Sequence, residues 1–400
     1  MKSMRYFGND SSLKCIKDKS VDYAFDVVAG SSPLHIACFM GRTDVVRCLL
    51  HHDAHINIAK EDGTTPLYYA CEVGHTDIVQ MLLEKNVNVD LCDNNGFTPL
   101  IKTCLKNNTS TVQLLIKHKP NINARTFDGG NALFFSAMHG NLEITNLLLE
   151  NGADCNICIN SKEHIIDTLT NHVWQTLEQE KQELYYTLMS NSQSNVRDFV
   201  SKKSLDYVFE LVADSSPLHI ACFMGRLDVV RCLLEHKAIN INMTKEDGTT
   251  PLSYAFKVGH TDIVMMLLEK NAKIDSFDNN GFTPLIRSCF NNKTSIVQLF
   301  IKHKADINAR TLDGGNALYF SALYGNLEIT QLLLENGADC YICIDSKERI
   351  INTFTNHVKK SLKQVKESIL CSIMLNNRSH KIDEFVFKKM ADPIYRKPVH

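Results

Sequence analysis

The chain has 400 residues, of which 44% are hydrophobic, and its 43 basic and 45 acidic side chains leave a formal net charge of −2. Such a balance does not favour binding to nucleic acid or anionic lipid through overall charge. No apolar run approaches the roughly 18 residues of a membrane-spanning helix, and the N-terminal sequence MKSMRYFGNDSS lacks the apolar core of a signal peptide. We therefore expect neither nucleic acid nor a membrane among the partners.

Residues 1–26 precede the regular part of the sequence and contain no full copy of the repeat unit. Residues 13–16 are predicted to belong to a helix, and residues 23–28 to form its exit. The stretch YAFDVVA at 23–29 returns as YVFELVA at 207–213. This repetition predicts a degenerate capping segment at the N-terminal end.

The regular part is built from one unit, which is clearest in EDGTTPLYYACEVGHTDIVQMLLEKNVNVD at residues 61–90. Its Asp-Gly pair is typical of a tight turn. Thr65-Pro66 then predicts a helix start, because Thr caps free amide groups and Pro fits the first turn. Gly74 ends this helix, and apolar residues at helical spacing predict a second one. Such a unit is too small to bury its apolar face alone, so it must stack on copies of itself.

Eight copies of this unit can be aligned on one leucine. The spacing within each set is 33 or 34 residues, and most leucines of the second set follow those of the first by 185. The chain is therefore a predicted tandem duplication, with one block of four repeats at 27–158 and another at 211–343. The leucines are Leu34, Leu67, Leu100 and Leu133, then Leu218, Leu252, Leu285 and Leu318.

These copies resemble the ankyrin repeat family. The resemblance implies an all-α solenoid of helix–turn–helix units with β-hairpin loops, and a concave surface that binds protein partners. Asn131-Ala132 and Asn316-Ala317 depart from the Thr-Pro pair, so we expect local helix ends to differ there. The matching stretches are Ser-Pro-Leu-His-Ile-Ala at 32–37 and 216–221, Asp-Gly-Thr-Thr-Pro-Leu at 62–67, Asn-Gly-Phe-Thr-Pro-Leu at 95–100 and Leu-Leu-Leu-Glu-Asn-Gly-Ala-Asp at 147–154.

Two segments break the period, and each is a predicted helical spacer. They cover residues 159–210 and 344–400, and their apolar stripes recur in both copies. We expect the stripe to cover the last repeat of its block and to carry the stack into a degenerate pair. An alternative is a partner-binding helix, because four lysines between residues 359 and 366 make the second copy basic and amphipathic.

The 14 cysteines do not indicate a disulfide framework. C-x-x-C pairs occur at Cys155/Cys158 and at Cys340/Cys343, a spacing that suits zinc or a redox pair. The two copies do not share a third residue that could bind zinc. We therefore expect these thiols to lie on a hairpin arm and to bind neither a metal nor a cofactor. Other cysteines occupy first-helix positions where a thiol packs as a small hydrophobe, which favours a reducing compartment, the cytoplasm or the nucleus. These are Cys38, Cys71, Cys104, Cys222 and Cys289.

No constellation of catalytic residues stands out. His35 and His219 follow Pro-Leu at a helix start, where the resemblance implies a structural histidine. No nucleophile or carboxylate accompanies either of them, and the glycine pairs at 129–130 and 314–315 are typical of turns rather than of a phosphate-binding loop. We therefore predict that the protein is not an enzyme.

The predicted partner surface is the concave face formed by hairpin tips and first helices. Aromatic residues and Met at exposed positions there favour a contact patch, and charged tips that include Lys60 and Lys245 would form its rim. Several of these side chains could instead fold over the neighbouring repeat. The predicted partner-binding residues are Phe39, Met40, Phe97, Leu105, Phe127, Met138, His139, Phe223, Met224, Phe282, Phe290, Leu312, Leu323 and Tyr324.

One modification is also predicted. The stretch LLENGADCN at 148–156 resembles the leucine-spaced asparagine site that asparaginyl hydroxylase modifies in ankyrin hairpins, which makes Asn156 the candidate.

These patterns predict a non-enzymatic, monomeric scaffold that binds other proteins inside the cell. The alternative is an adaptor arm of a larger enzyme or signalling protein, of ubiquitin ligase or channel type, whose active domain lies outside these residues. The final Pro-Val-His resembles the start of a further copy, so a longer array is a third expectation.

Overall fold

The computed structural model describes residues 27–160 and 177–341. Within these ranges the chain forms 19 helices and no strand, and one isolated bridge pairs Arg125 with Asn131. The all-α prediction is confirmed, although the hairpin loops are turns rather than paired strands. In chain order the helices are α1 (Pro33–Phe39), α2 (Thr43–His51), α3 (Pro66–Val73), α4 (Thr76–Glu84), α5 (Pro99–Leu105), α6 (Thr109–Lys117), α7 (Ala132–His139), α8 (Leu142–Glu150), α9 (Leu177–Asn191), α10 (Ser194–Val200), α11 (Leu205–Val212), α12 (Pro217–Met224), α13 (Leu227–Glu235), α14 (Pro251–Val258), α15 (Thr261–Glu269), α16 (Pro284–Phe290), α17 (Thr294–Lys302), α18 (Ala317–Leu323) and α19 (Leu327–Glu335).

Several predictions fall outside the described residues. These are the capping segment at 1–26, the part of the apolar stripe within 161–176, Cys343 and the C-terminal spacer at 344–400. In the parts of the chain that the structure does describe, no helix combines the length and apolar character that a membrane span requires.

The first helix of each repeat begins at a side-chain cap. The Thr65 hydroxyl accepts a hydrogen bond from the Tyr68 amide at 3.2 Å, and Pro66 occupies the first turn. Where Thr-Pro is missing, the Asn131 side chain accepts from the Phe134 amide at 2.8 Å instead. Asn caps a helix about as well as Thr, so this departure leaves the helix start in place.

The ends of the second helices follow the same logic. The second residue after α8 is Gly152, with a φ of 86° in the left-handed region. In other repeats Asn86 and Lys119 occupy the equivalent position, with φ values of 56° and 51°. The strain of a non-glycine residue there is about 1–2 kcal/mol, which packing of the stack offsets, so the missing glycines do not change the helix ends either.

The described residues divide into two compact units. The first unit falls within Met1–Glu246 and Thr250–Ala272, and the second within Asp247–Thr249 and Lys273–His400. In the first unit the first helices pack in the order α1, α3, α5, α7, α12, α14, and the second helices α2, α4, α6, α8, α13, α15 pack beside them. In the second unit α16 packs on α18 and α17 on α19.

The fourth repeat packs directly on the fifth, because α7 contacts α12 and α8 contacts α13. The predicted spacer therefore does not lie between them. The Ile159 amide donates to the Ser215 carbonyl at 3.0 Å, as the Asp93 amide donates to Phe97 at 3.1 Å in an ordinary hairpin. Asp214 has a φ of 59° and takes the place of the hairpin glycine.

Residues 161–213 thus stand where other hairpins have a single tip residue. The tip register is kept, since the Asn160 amide donates to the Asp128 carbonyl at 2.7 Å and the Phe127 amide donates to Asn95 at 2.9 Å. The spacer is an insertion into one hairpin. Its helix α9 packs on α10 and α11, and α10 packs on α14.

Candidate partner-binding surface

The face formed by hairpin tips and the exposed sides of the first helices is called here the inner face. Of the fourteen predicted residues, Phe127 and Leu323 are clearly exposed, at 40% and 43%. Those that are half-buried on this face are Phe97, Leu105, His139, Phe282, Phe290, Leu312 and Tyr324.

The structure differs from the prediction at the other five positions, whose side chains are buried. Phe39 and Met40 belong to a cluster with Val27 and two tyrosines of the next repeat. Phe223 lies between rings of α10 and α14, and its neighbour Met224 is also buried. These side chains pack between neighbouring segments and hold the repeats together. A first-helix residue is exposed only where no neighbouring segment covers it. The five buried residues are Phe39, Met40, Met138, Phe223 and Met224.

In the first unit, a network of charged side chains joins the second and third repeats on the inner face. Lys102 Nζ lies 3.2 Å from Glu72 Oε1, and the two side chains are only 15% and 3% exposed. The same ammonium lies 5.1 Å from the centroid of the Tyr68 ring. The Tyr68 hydroxyl donates to Asp93 Oδ2 at 2.7 Å.

The pKa values in this network follow from burial and pairing. Burial raises the pKa of the Asp93 carboxyl, against hydrogen bonds from the Tyr68 hydroxyl and the Phe97 amide that favour its charged form. Burial would lower the pKa of Lys102, but its interactions with Tyr68 and Glu72 raise it above the ordinary value. The network is therefore a closed set of mutually satisfied groups rather than a site with an available acid or base.

In the second unit, an aromatic ladder crosses the inner face from α16 to α18. We use this name for Phe282, Phe290, Phe320 and Tyr324. The Phe282 and Phe320 centroids are 5.0 Å apart, and those of Phe290 and Tyr324 are 4.7 Å apart. The Arg287 guanidinium lies 4.0 Å from the Phe282 ring centroid and pairs with Asp278. Three of the four rings are half-buried, so the ladder presents aromatic surface to solvent.

The inner face of the fifth and sixth repeats is covered by the insertion. Phe199 of α10 packs on Phe223 with a centroid distance of 5.9 Å. Lys245 donates to the carbonyls at the end of α11 and is buried. Lys245 is buried and the side chain of its counterpart Lys60 is only 4% exposed, which corrects the expectation that both lie on a charged rim. The shared Lys-Tyr spacing of Lys60/Tyr69 and Lys245/Tyr254 is the signal in the sequence that could have indicated it.

The five cysteines expected in the first helices are buried, which confirms their assignment as small apolar residues. Cys155 Sγ lies 3.6 Å from His236 Nδ1, and Cys158 Sγ lies 3.3 Å from the Met243 sulfur. Burial raises the pKa of Cys158 to about 11. Among the described residues no group of three or more side chains could hold a metal ion, and Cys340 is exposed.

His35 has structural contacts on both ring nitrogens. Nε2 donates to the Thr64 carbonyl at 3.2 Å, and Nδ1 accepts from the Ser32 amide at 3.1 Å. Burial lowers the pKa of His35, so the neutral ring joins two neighbouring hairpins. The equivalent Nδ1 of His219 accepts from the Ser216 amide at 3.3 Å.

Asn156, the predicted hydroxylation site, is half-buried on the outer arm of its hairpin. Its side-chain amide donates to the Ala238 carbonyl at 2.7 Å, and its oxygen accepts from the Asn240 amide at 2.9 Å. These contacts join the fourth and fifth repeats. Hydroxylation of this residue stays a prediction.

The sequence matches the family model described as "Ankyrin repeats (3 copies)" over residues 3–91, 85–158, 184–278 and 273–342. The chain belongs to the ankyrin repeat family. Its ankyrin repeats thus account for both blocks, and the module is one that mediates contacts between proteins.

Several curated proteins align with short parts of the chain. The chain is 41% identical over 58 residues to cortactin-binding protein 2 of Ornithorhynchus anatinus, covering 14% of this chain and 4% of that protein. It is 30% identical over 83 residues to the E3 ubiquitin-protein ligase KEG of Arabidopsis thaliana, covering 21% and 5%. It is 34% identical over 85 residues to ankyrin repeat protein FPV223 of fowlpox virus (strain NVSL), covering 21% and 57%. Each of these alignments leaves much of the other protein unmatched.

Proposed function

We propose that this ankyrin repeat chain is a non-enzymatic scaffold that binds another protein on the inner face. The observation that supports this most directly is the aromatic ladder of the second unit. The core there is made by Leu285, Cys289 and Phe300, which are buried. Phe290 and Tyr324 lie outside that core and remain partly open to solvent. Folding alone does not require such large rings at half-buried positions.

The chemistry of the ladder suits a protein partner. Aromatic residues and Arg are enriched at the centres of protein interfaces, where rings bury large areas and lose little conformational entropy. The Arg287 guanidinium stacks on Phe282 while pairing with Asp278. Its charge is thus partly neutralised, so the surface favours a segment that inserts apolar side chains between the rings.

A smaller patch on the inner face of the first unit supports the same function. Phe97 and Phe135 pack with a centroid distance of 5.6 Å, and Phe127 is exposed beside them at the next hairpin tip. Leu105 and His139 complete this patch as half-buried residues.

The first copy of the sequence supplies a test with conservative substitutions. Phe290 and Tyr324 correspond to Leu105 and His139, so Phe290→Leu with Tyr324→His replaces the rings by residues that the same fold already carries. Partners captured by the purified chain from its source cells are identified by quantitative mass spectrometry, and each is then produced and titrated by calorimetry. We expect at least a tenfold rise in Kd, because a hot-spot residue typically contributes more than about 1.4 kcal/mol.

Phe277→Ser is the matched control, because Phe277 is 68% exposed in the same unit. We expect this variant to bind as the unmodified chain does. Equal affinity for the double variant and the unmodified chain would show that the ladder is not the contact surface.

The second candidate is an adaptor arm of a larger enzyme or signalling protein. It is favoured by the similarity to short parts of proteins such as the E3 ubiquitin-protein ligase KEG, of which the chain covers 5%. The full-length transcript separates the two proposals: further coding sequence for a catalytic domain favours the arm.

We also propose that the chain acts as a monomer in the cytoplasm or nucleus. The buried reduced thiols at Cys71 and Cys289, whose pKa values burial raises to about 12, suit a reducing compartment. Light scattering of the purified chain and fractionation of its source cells test these two points.

A further inference from the structure

The helices α10 and α11 lie on a groove that the ankyrin stack itself provides. The groove is formed by α12, α14 and the residues that follow them, all within the first unit. The segment that occupies it, residues 193–212, is called here the groove segment. It belongs to the insertion at the hairpin tip, which the Ile159–Ser215 hydrogen bond closes. The Ser215 amide also donates to the Val212 carbonyl at 3.0 Å, which joins the segment to the hairpin.

Two polar contacts hold the N-terminal end of the groove segment. Gln193 Nε2 donates to the Gly225 carbonyl at 3.3 Å. Asn195 Nδ2 lies 3.2 Å from His260 Nδ1, while His260 Nε2 donates to the Phe223 carbonyl at 3.0 Å. Because Nε2 is the donor, the neutral Nδ1 accepts the Asn195 hydrogen bond. These two hydrogen bonds select a ligand that carries a side-chain amide at the start of a helix.

A second pair of groups holds the C-terminal end. Lys245 Nζ donates to the Glu210 carbonyl at 2.8 Å and to the Leu211 carbonyl at 3.0 Å. The Tyr254 hydroxyl also donates to the Leu211 carbonyl and lies 2.8 Å from Lys245 Nζ. The last carbonyls of a helix have no partner within the helix, so Lys245 and Tyr254 recognise a helix end of any sequence.

Between the two ends, one aromatic contact adds side-chain selectivity. Phe199 packs edge-on against Phe223, which in turn packs on Tyr254 at 5.8 Å. The arrangement resembles helix-in-groove recognition, in which an aromatic anchor fixes the register. The kind of ligand that fits is a short two-helix segment. It has a side-chain amide at its start, an aromatic residue six positions after that amide, and a helix C-terminus whose last carbonyls can accept hydrogen bonds.

The groove residues occur again in the first two repeats. Lys60 Nζ lies 2.9 Å from the Tyr69 hydroxyl, Tyr69 packs on Phe39 at 5.5 Å, and His75 Nε2 donates to the Phe39 carbonyl at 3.2 Å. Val27 packs in the same cluster. The residues that form the groove are thus duplicated with the rest of the stack.

We propose that the groove of the fifth and sixth repeats is a helix-binding site that residues 193–212 occupy in cis, and that the same segment supplied by a second copy or as a peptide exchanges with it. A partner that uses this part of the inner face must first displace the segment. The exchange is independent of the aromatic ladder and does not require that the proposed scaffold function be correct.

The tether makes the seated state dominant. The segment is attached to the groove through residues 213 and 214. A short linker typically gives an effective concentration of about 1 mM, so a segment whose free peptide binds with a Kd of about 10 μM is seated roughly 100 times more often than it is released. An added peptide must compete with this, and its apparent Kd for the unmodified chain is about 100-fold weaker than for an empty groove.

The test uses the full chain and a fluorescent peptide of residues 193–214 with blocked ends. Asn195→Ala with Phe199→Ser weakens the seated segment without changing the groove. We expect this variant to bind the peptide about 100-fold more tightly than the unmodified chain, by fluorescence anisotropy. Adding Lys245→Ala and Tyr254→Phe to it should abolish that gain. Tyr186→Ser, at a residue of α9 that is 67% exposed, should bind as weakly as the unmodified chain.

Equal and weak binding by the folded double variant and the unmodified chain would overturn the proposal. Should the double variant fail to fold, hydrogen exchange of the unmodified chain decides the question. If the segment is released about 1% of the time, the amides of α10 and α11 are protected only about 100-fold relative to a free peptide, and they exchange before those of α12 and α14. Loss of protection in all four helices at one common rate would show that the segment is a fixed part of the stack.

Discussion

The third repeat, in the first unit, and the seventh, in the second unit, are copies of one sequence whose inner faces carry different chemistry. Both have an aspartate before the hairpin tip and a phenylalanine after it, Asp93 with Phe97 and Asp278 with Phe282. Lys102 turns toward Glu72 and Tyr68 of the preceding repeat and is nearly buried. Its counterpart Arg287 pairs within its own repeat with Asp278, and the two side chains are 29% and 21% exposed.

The difference shows which parts of the unit are free to diverge. The positions of Glu72 and Tyr68 are occupied by lysine and serine in the second copy, so the sealed network cannot be rebuilt there. The basic residue instead stacks on an aromatic surface. The hairpins and caps are the same in both copies. The inner face of the third repeat is part of the packing, whereas that of the seventh repeat is open to solvent.

The largest expected effect comes from breaking the sealed network. Lys102→Met leaves the Glu72 carboxylate buried without its cation, which typically costs about 3–5 kcal/mol. The matched Arg287→Met removes a half-exposed pair, which costs about 1 kcal/mol. Urea unfolding of both variants measures the difference.

A compensating change serves as the control. Glu72→Leu with Lys102→Met removes both charges, and we expect it to recover most of the lost stability, because apolar replacements of buried pairs are often neutral. Equal losses for Lys102→Met and Arg287→Met would break the comparison between the two repeats.

The next effect tests whether the hairpins of the two copies are equivalent. A Cβ at Gly96 would lie 2.9 Å from Thr126 Cα, and one at Gly281 would lie 2.7 Å from the Leu312 nitrogen. Both glycines have φ near 80°. We expect Gly96→Ala and Gly281→Ala to cost about 3 kcal/mol each, by thermal unfolding, since left-handed strain and overpacking add.

Gly152→Ala is the control for this pair, because its φ is 86° but a Cβ there meets no atom within 4 Å. Its loss should be limited to about 1–2 kcal/mol of backbone strain. A loss at only one of the two tip glycines would mean that the hairpins do not stack alike.

The smallest expected effect is on the pH dependence of stability. It separates, within the first unit, the repeats that the insertion covers from those that it leaves open. Burial lowers the pKa of His260, with a further contribution from Arg226, against the hydrogen bond to the Phe223 carbonyl. The unfolded chain therefore binds the proton first. The stability that His260 contributes is complete above the unfolded pKa of about 6.5 and is lost as pH falls below it.

We expect the free energy of unfolding to fall between pH 7 and pH 5, and His260→Asn to reduce that slope. The difference between the two chains at each pH isolates this residue from the other titrating groups. Parallel pH curves for the two chains would assign the acid sensitivity elsewhere.

The sequence was sufficient for the repeat phase, the helices and the buried cysteines, because each depends on residues close together in the chain. It predicted an irregular helix start at Asn131, but an asparagine cap keeps that start in place. It was insufficient for Phe223 and Met224, whose exposure depends on whether another segment covers them. It also indicated a break after Asn160 without showing that Ser215 completes the same hairpin, since that bond joins residues far apart with no apolar pattern between them.

The hairpin that carries the insertion has a consequence for the order in which the chain assembles. During synthesis the apolar side of α7 emerges long before α12, its packing partner, is made. Loop closure across about 50 residues opposes the docking of these helices by about 3 kcal/mol more than closure of an ordinary tip. The junction between the fourth and fifth repeats is therefore the step at which a growing chain waits longest with uncovered apolar surface, and at which a chaperone has most time to act.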